Sequence, residues 1–136
     1  MKHKIINLII LGMGIMQVFA NTPQISENTF LFCLKPNVEP LEIARNGNEV
    51  IVSSEELNDL LRTIQVTNIE PWIKHATEID RDGDVYLNRI YRVYLNENRD
   101  ISTAQSIVAI SELPVTLYAE HEYLRNPLYT PNDPAL

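Results

Sequence analysis

Outside the N-terminal leader, the side chains that could do chemistry are two histidines, His75 and His121, one cysteine, Cys33, several serines, and the aspartates Asp80, Asp82 and Asp84. A hydrolytic nucleophile needs a serine or cysteine held beside a base. No G-x-S-x-G elbow is present, and no Cys or Ser motif lies near a plausible base. Neither histidine has a second His or Cys at a ligand spacing, so zinc chemistry is not expected, and both read as exposed polar residues. Glycines scattered singly cannot form a phosphate cradle. Cys33 lies in the apolar run FLFCL, where a thiol acts as a small buried hydrophobe. As the only cysteine, it also leaves an exported domain without an internal disulfide.

The run Asp80-Arg81-Asp82-Gly83-Asp84 invites comparison with a calcium loop. An EF-hand needs glycine sixth and a bidentate acid twelfth. Counted from Asp80, Gly83 is fourth; counted from Glu78, the last position is Arg89. An acidic turn is expected, with a loose calcium site at Asp80, Asp82 and Asp84 as the alternative. No cofactor is expected. The residues point to binding, with no catalytic set in the chain.

The first residues carry an address. Met1-Lys2-His3-Lys4 is a cationic start, and residues 5 to 19, IINLIILGMGIMQVF, form an apolar h-region ending in Val18-Phe19-Ala20. A run of about 15 apolar residues is short for a bilayer that needs about 20. A signal peptide over residues 1–20, cut after Ala20, is therefore expected, with a secreted or periplasmic product. Its removal takes away Lys2 and Lys4, leaving 9 of the 11 basic residues against all 18 acidic ones, a net of about −9. So acidic a surface repels phosphate backbones and anionic lipid. Nucleic acid is not an expected partner, nor is a stable membrane association after signal cleavage.

The elements that would position any site follow from patterning. A polar leader, residues 21–28, precedes an apolar strand from Thr29 to Lys35. In LEIARNGNEVIV, residues 41 to 52, Asn46-Gly47 predicts a β-hairpin. Ser53 and Glu56 fit a capping box, and Leu57, Leu60, Leu61 and Ile64 form one helical stripe behind it. VTNIEPWI, residues 66 to 73, reads as an edge or interrupted strand because of Pro71. DVYLNRIYRVYL, residues 84 to 95, alternates as one strand: Val85, Leu87, Tyr91, Val93 and Leu95 share a face broken by Arg89, and Tyr86, Asn88, Ile90, Arg92 and Tyr94 share the other. A second helix starts at a Ser102/Gln105 capping box, shows Ala104, Ile107 and Val108 on one side, and stops at Pro114. VTLYAE, residues 115 to 120, is a last short strand. The order strand, helix, strand, strand, helix, strand predicts an α+β domain of the ferredoxin-like split βαβ plan, an antiparallel sheet with two helices on one face. The other face stays free for a partner.

Three stretches in this order resemble the N-terminal pro-region of secreted subtilisin-like serine proteases: LNRIYRVYL at 87 to 95, PVTLYAEHEY at 114 to 123 and YTPNDP at 129 to 134. In that family the last pro-region strand often reads V-x-Y-A-E, and P-N-D-P opens the protease domain. The resemblance implies a pro-domain over 29–123 that templates and then inhibits a protease domain in cis. It implies a linker over 124–136 holding the processing site and the first protease residues. Tyr118, Glu120 and Glu122 would bind the protease, with Glu120 at the N-termini of its surface helices, where a carboxylate meets unpaired amides. Asn126, Pro127, Leu128 and Tyr129 would lie in its cleft. Proline has no amide to donate there, which favours a cut between Leu128 and Tyr129 over one after Tyr129. No triad motif of the protease occurs, so the chain itself is not expected to hydrolyse peptides. A free-standing inhibitor of the same fold and an exported adhesion or calcium-responsive module are the alternatives.

Overall fold

The computed structural model describes residues 22–125. The elements are β1 (Gln24–Leu34), β2 (Ile43–Asn46), β3 (Glu49–Val52), α1 (Glu55–Thr63), β4 (Val66–Pro71), β5 (Arg81–Asp82), β6 (Val85–Tyr86), a 3-10 turn (Leu87–Arg89), β7 (Ile90–Leu95), α2 (Thr103–Ser111) and β8 (Thr116–Leu124). The fold is α+β: four strands form one antiparallel sheet in the order β4-β7-β1-β8, and two hairpins, β2-β3 and β5-β6, stand outside it.

One face of this sheet carries the core. Phe30, Phe32 and Leu34 of β1, Ile69 of β4, and Tyr91, Val93 and Leu95 of β7 alternate onto it. Leu57, Leu61 and Ile64 of α1 and Ile110 of α2 cover them in one cluster, joined by Val50 and Val52 from the first hairpin. Phe32 and Tyr91 face each other in the register, their rings stacked with centroids 5.5 Å apart. The Tyr91 hydroxyl accepts from the Leu41 amide at 2.7 Å, so its polar end is not stranded.

Several local expectations shift by a residue or more, each for a visible reason. The first hairpin forms, but Asn46 pairs with Glu49, so the loop residues are Gly47 and Asn48. Gly47 alone takes positive φ, at 61°, the sign pattern of a type II′ turn rather than I′. Helix α1 is capped by Ser54, whose hydroxyl accepts from the Leu57 amide, and not by Ser53. Ser53 is still held by the hairpin, since its amide donates to the Glu42 carbonyl and its hydroxyl accepts from the Glu42 amide. The stripe of α1 is as patterned, with Leu57, Leu61 and Ile64 buried and Leu60 packed beside them.

The run 84–95 is not one strand. It breaks into β6, the 3-10 turn and β7, because Arg89 would otherwise point an unpaired guanidinium into the core. The turn buries Arg89 with partners instead: its Nε donates to the Val38 carbonyl and its Nη1 to Glu78, each at 2.8 Å, and it lies 4.4 Å from the Tyr86 ring centre.

Helix α2 has the expected reciprocal cap between Ser102 and Gln105. Its inward side is only partly the predicted one, since Ile107 packs against the core. Thr103, Ser106 and Ile110 are buried while Ala104 and Val108 are exposed, Val108 to 57%. The inward hydroxyls are satisfied, Thr103 by the distant Glu27 carbonyl of β1 and Ser106 by the Ser102 carbonyl one turn back, so burying them leaves no bond unmade.

β8 and its neighbour β1 also run further than their patterns suggest, while β4 stops at Pro71, short of Ile73. β8 continues to Leu124, and its last residues pair with Gln24 and Ile25 across a bulge in β1. The polar leader is thereby drawn into the sheet from Gln24 onward.

Candidate functional site

The sheet face opposite the helices is where the predicted binding residues gather. Register puts Thr29, Leu31 and Cys33 of β1 in one row there. Tyr94, Arg92 and Ile90 of β7 flank them on one side, and Tyr118 and Glu120 of β8 on the other. Asn68 and Glu70 of β4 extend the rows beside Tyr94 and Arg92.

Arg92 organises this face. Its Nε and Nη2 reach Glu122 Oε1 at 2.8 and 2.5 Å, and its Nη1 reaches Glu70 at 3.4 Å. The Thr29 hydroxyl donates to the second Glu122 oxygen, and the Tyr94 hydroxyl donates to Glu70 at 2.7 Å. The Glu122 side chain is only 13% exposed. The Tyr94 hydrogen bond, more than any charge, holds the Glu70 carboxyl below its ordinary range. The bond to Glu122 strengthens the hold of Arg92 on its proton.

Glu122 is therefore committed within the chain. Glu120 is exposed, and no hydrogen bond or ion pair to it is found among the described residues. Of the two carboxylates assigned to a partner, Glu120 is the one free to meet it. A shallow groove of about 440 Å³ opens beside it, floored by Leu31 and walled by Trp72, Arg92, Glu122 and Leu124. The Trp72 ring, 41% exposed, gives this polar face an aromatic rim.

Tyr118 lies on the same face, opposite Cys33. Cys33 is fully buried, and desolvation outweighs the Tyr118 hydrogen bond to push its thiol up to about 11. Burial first, then the charges of Cys33 and Glu120, pushes Tyr118 to about 12. A thiol ordinarily titrating near 9.0 keeps its proton in the folded chain to about 11. Its contribution to stability is complete below pH 9 and is lost as pH rises through that window. Cys33 alone should lower stability by about 2 kcal/mol between about pH 8 and pH 11, and Tyr118 adds to the fall above about pH 10. Urea midpoints at both values check this: Cys33→Ala is expected to flatten the slope, and an unchanged slope would refute the assignment.

The remaining sequence candidates are not brought to this face. Asp80 is turned inward to its own loop, accepting from the Thr77 amide at 2.7 Å and hydroxyl at 3.0 Å. Among the described residues no group of three or more His, Cys, Asp or Glu is placed to hold a metal ion, and Asp82 and Asp84 flank the Gly83 turn between β5 and β6. His75 is exposed as expected. His121 is half-buried on the helix side of β8 opposite Phe30, with Nδ1 buried and unpartnered among the described residues. Residues 1–20 and the tail residues Asn126, Pro127, Leu128 and Tyr129 lie outside the described residues.

The Arg92 network was not foreseen. Alternation put Arg92 and Tyr94 on the free face, but their meeting with Glu70 and Glu122 depends on strand register. No protein-family model, no curated protein and no solved structure matches the chain.

Proposed function

We propose that this chain is the N-terminal pro-region of a secreted subtilisin-like serine endopeptidase, acting as intramolecular chaperone and temporary inhibitor of the protease domain. The reading rests on LNRIYRVYL at 87 to 95, PVTLYAEHEY at 114 to 123 and YTPNDP at 129 to 134, and on the fold. The observation that carries it is the β8 side of the sheet face turned away from the helices: Leu31, Cys33 and Ile90 on that face are buried, but Glu120 of the Y-A-E segment stays exposed and unpaired while neighbouring carboxylates are engaged. The element order and the strand order β4-β7-β1-β8 support the ferredoxin-like split βαβ plan that such pro-domains adopt.

In this mechanism the free face packs on two surface helices of the protease, and Glu120 meets their N-terminal amides. β8 then leads the chain toward the cleft, where residues 126 to 129 lie like a substrate and the bond between Leu128 and Tyr129 is cut. The signal peptide directs export, and inhibition lasts until the pro-domain is degraded.

Residues 21 to 128 are expected to inhibit a subtilisin-like protease in the nanomolar to micromolar range typical of specific interfaces. Glu120→Lys is expected to weaken inhibition about ten-fold. Sequencing the mature enzyme should find Tyr129 first. Absence of inhibition, or a mature start far from residue 129, would sink the proposal.

A further inference from the structure

The sheet has two edges, and they are finished differently. On the β4 edge Pro71 offers no amide, and the Arg45 guanidinium donates to the Thr67 carbonyl at 3.2 Å and to the Asn68 side chain at 2.8 Å. Sheets close their edges in such ways because an unpaired row of amides and carbonyls recruits other strands. The β8 edge has no such closure. It runs nine residues without a proline, and its one strand neighbour is β1. All of this holds among the described residues, where no backbone hydrogen bond leaves its outer side between Leu117 and Leu124. Leu117, Tyr123 and Leu124 along it are 37, 57 and 50% exposed.

We propose that the outer edge of β8 is a strand-addition site for an extended peptide segment of another protein that carries lysine or arginine opposite Glu120. Strand addition draws affinity from main-chain bonds and specificity from alternate side chains. On the free-face side of β8 those side chains are Tyr118, Glu120, Glu122 and Leu124. Glu122 is already matched by Arg92 and Thr29, which leaves Glu120 to select the partner's charge. A second copy of the chain is disfavoured in the register of greatest overlap. Antiparallel self-pairing about the middle of β8 sets Glu120 against Glu120, and centring it one residue later sets Glu120 against Glu122. Like charges directly opposite destabilise a strand pair. A basic residue at that position turns the same contact favourable. The inference does not depend on the pro-domain reading.

The test uses the full chain, labelled for amide exchange, with two synthetic heptapeptides of alternating valine and threonine, one with a central lysine and one with a central glutamate. The lysine peptide is expected to slow exchange of alternate amides between Leu117 and Leu124, and to bind at least about three-fold more tightly than the glutamate peptide. Glu120→Gln should remove that preference and Glu120→Lys should reverse it, which a merely structural role for the residue would not produce. The proposal is overturned by protection falling on Val66–Pro71 instead, by a peptide preference indifferent to residue 120, or by a concentration-dependent dimer that protects β8 without peptide. It is equally overturned if no amide responds at about 1 mM peptide.

Discussion

Phe32→Ala is expected to lower the unfolding free energy by about 4 kcal/mol, read as a fall in urea midpoint at unchanged slope. Phe32 is fully buried in the middle of β1, stacked on Tyr91, with β7 on one side and β8 on the other. Truncation there removes an aromatic contact at the centre of the sheet and leaves a cavity that neither helix can follow, because both are anchored elsewhere. α1 is tied to β3 by Asn58, whose side chain bonds both the amide and the carbonyl of Val52, and α2 is tied to the start of β1 through Thr103 and the Glu27 carbonyl. A loss of that size is a large share of the 5–15 kcal/mol typical of a domain, so the variant should be partly unfolded at ambient temperature. Phe32→Leu keeps most of the volume and should cost well under half as much. A shift below about 1 kcal/mol for the alanine variant would mean that Phe32 is not central to the core.

The second large effect lies on the opposite face. Arg92→Ala should cost about 2 kcal/mol near neutral pH, because it strands Glu70 and Glu122 beside each other without their shared cation. The figure sits below that for a fully buried pair, since Arg92 and Glu70 are 29% and 27% exposed and solvent screens them. Its pH dependence follows in part from Glu70, whose folded carboxyl is held below its ordinary value of 4.5 chiefly by the Tyr94 bond, which the variant keeps, and to a smaller degree by Arg92. A depressed carboxyl contributes stability above the unfolded value and loses it as pH falls through the folded one. The gap between wild type and Arg92→Ala should therefore narrow below about pH 4. Adding Glu122→Gln to Arg92→Ala should recover part of the loss, since the pair acts as a unit. Additive losses in that cycle would show that the contacts in the structure carry no coupling.

The same network bears on function. With Arg92 holding Glu122 and Tyr94 holding Glu70, the free face presents a rigid polar surface with one spare carboxylate, Glu120, beside Trp72. On the proposed pro-domain reading, loosening the network should weaken inhibition even where Glu120 is intact, because a partner then has to order the face as it docks.

Part of this was legible in residues alone. The stripe of Leu57, Leu61 and Ile64 and the reciprocal cap of Ser102 and Gln105 are local facts, set by helical geometry within a few residues. The alternation Tyr91, Val93, Leu95 against Arg92, Tyr94 likewise assigned both faces of β7 before any fold was known. The edge position of β4 followed from Pro71, which has no amide to give.

What the sequence could not decide depends on partners distant along the chain. The strand through residues 84 to 95 reads as continuous until Val38 and Glu78 arrive to pair Arg89, and only then does a turn become better than a strand. Helix α2 has apolar residues on two sides, and the Glu27 carbonyl selects the side bearing Thr103. The polar leader joins β1 only because β8 runs on to Leu124. Strand order places Arg92 between Glu70 and Glu122 and leaves β8 open at the edge; local pattern assigns residues to faces, and only long-range register decides which faces meet.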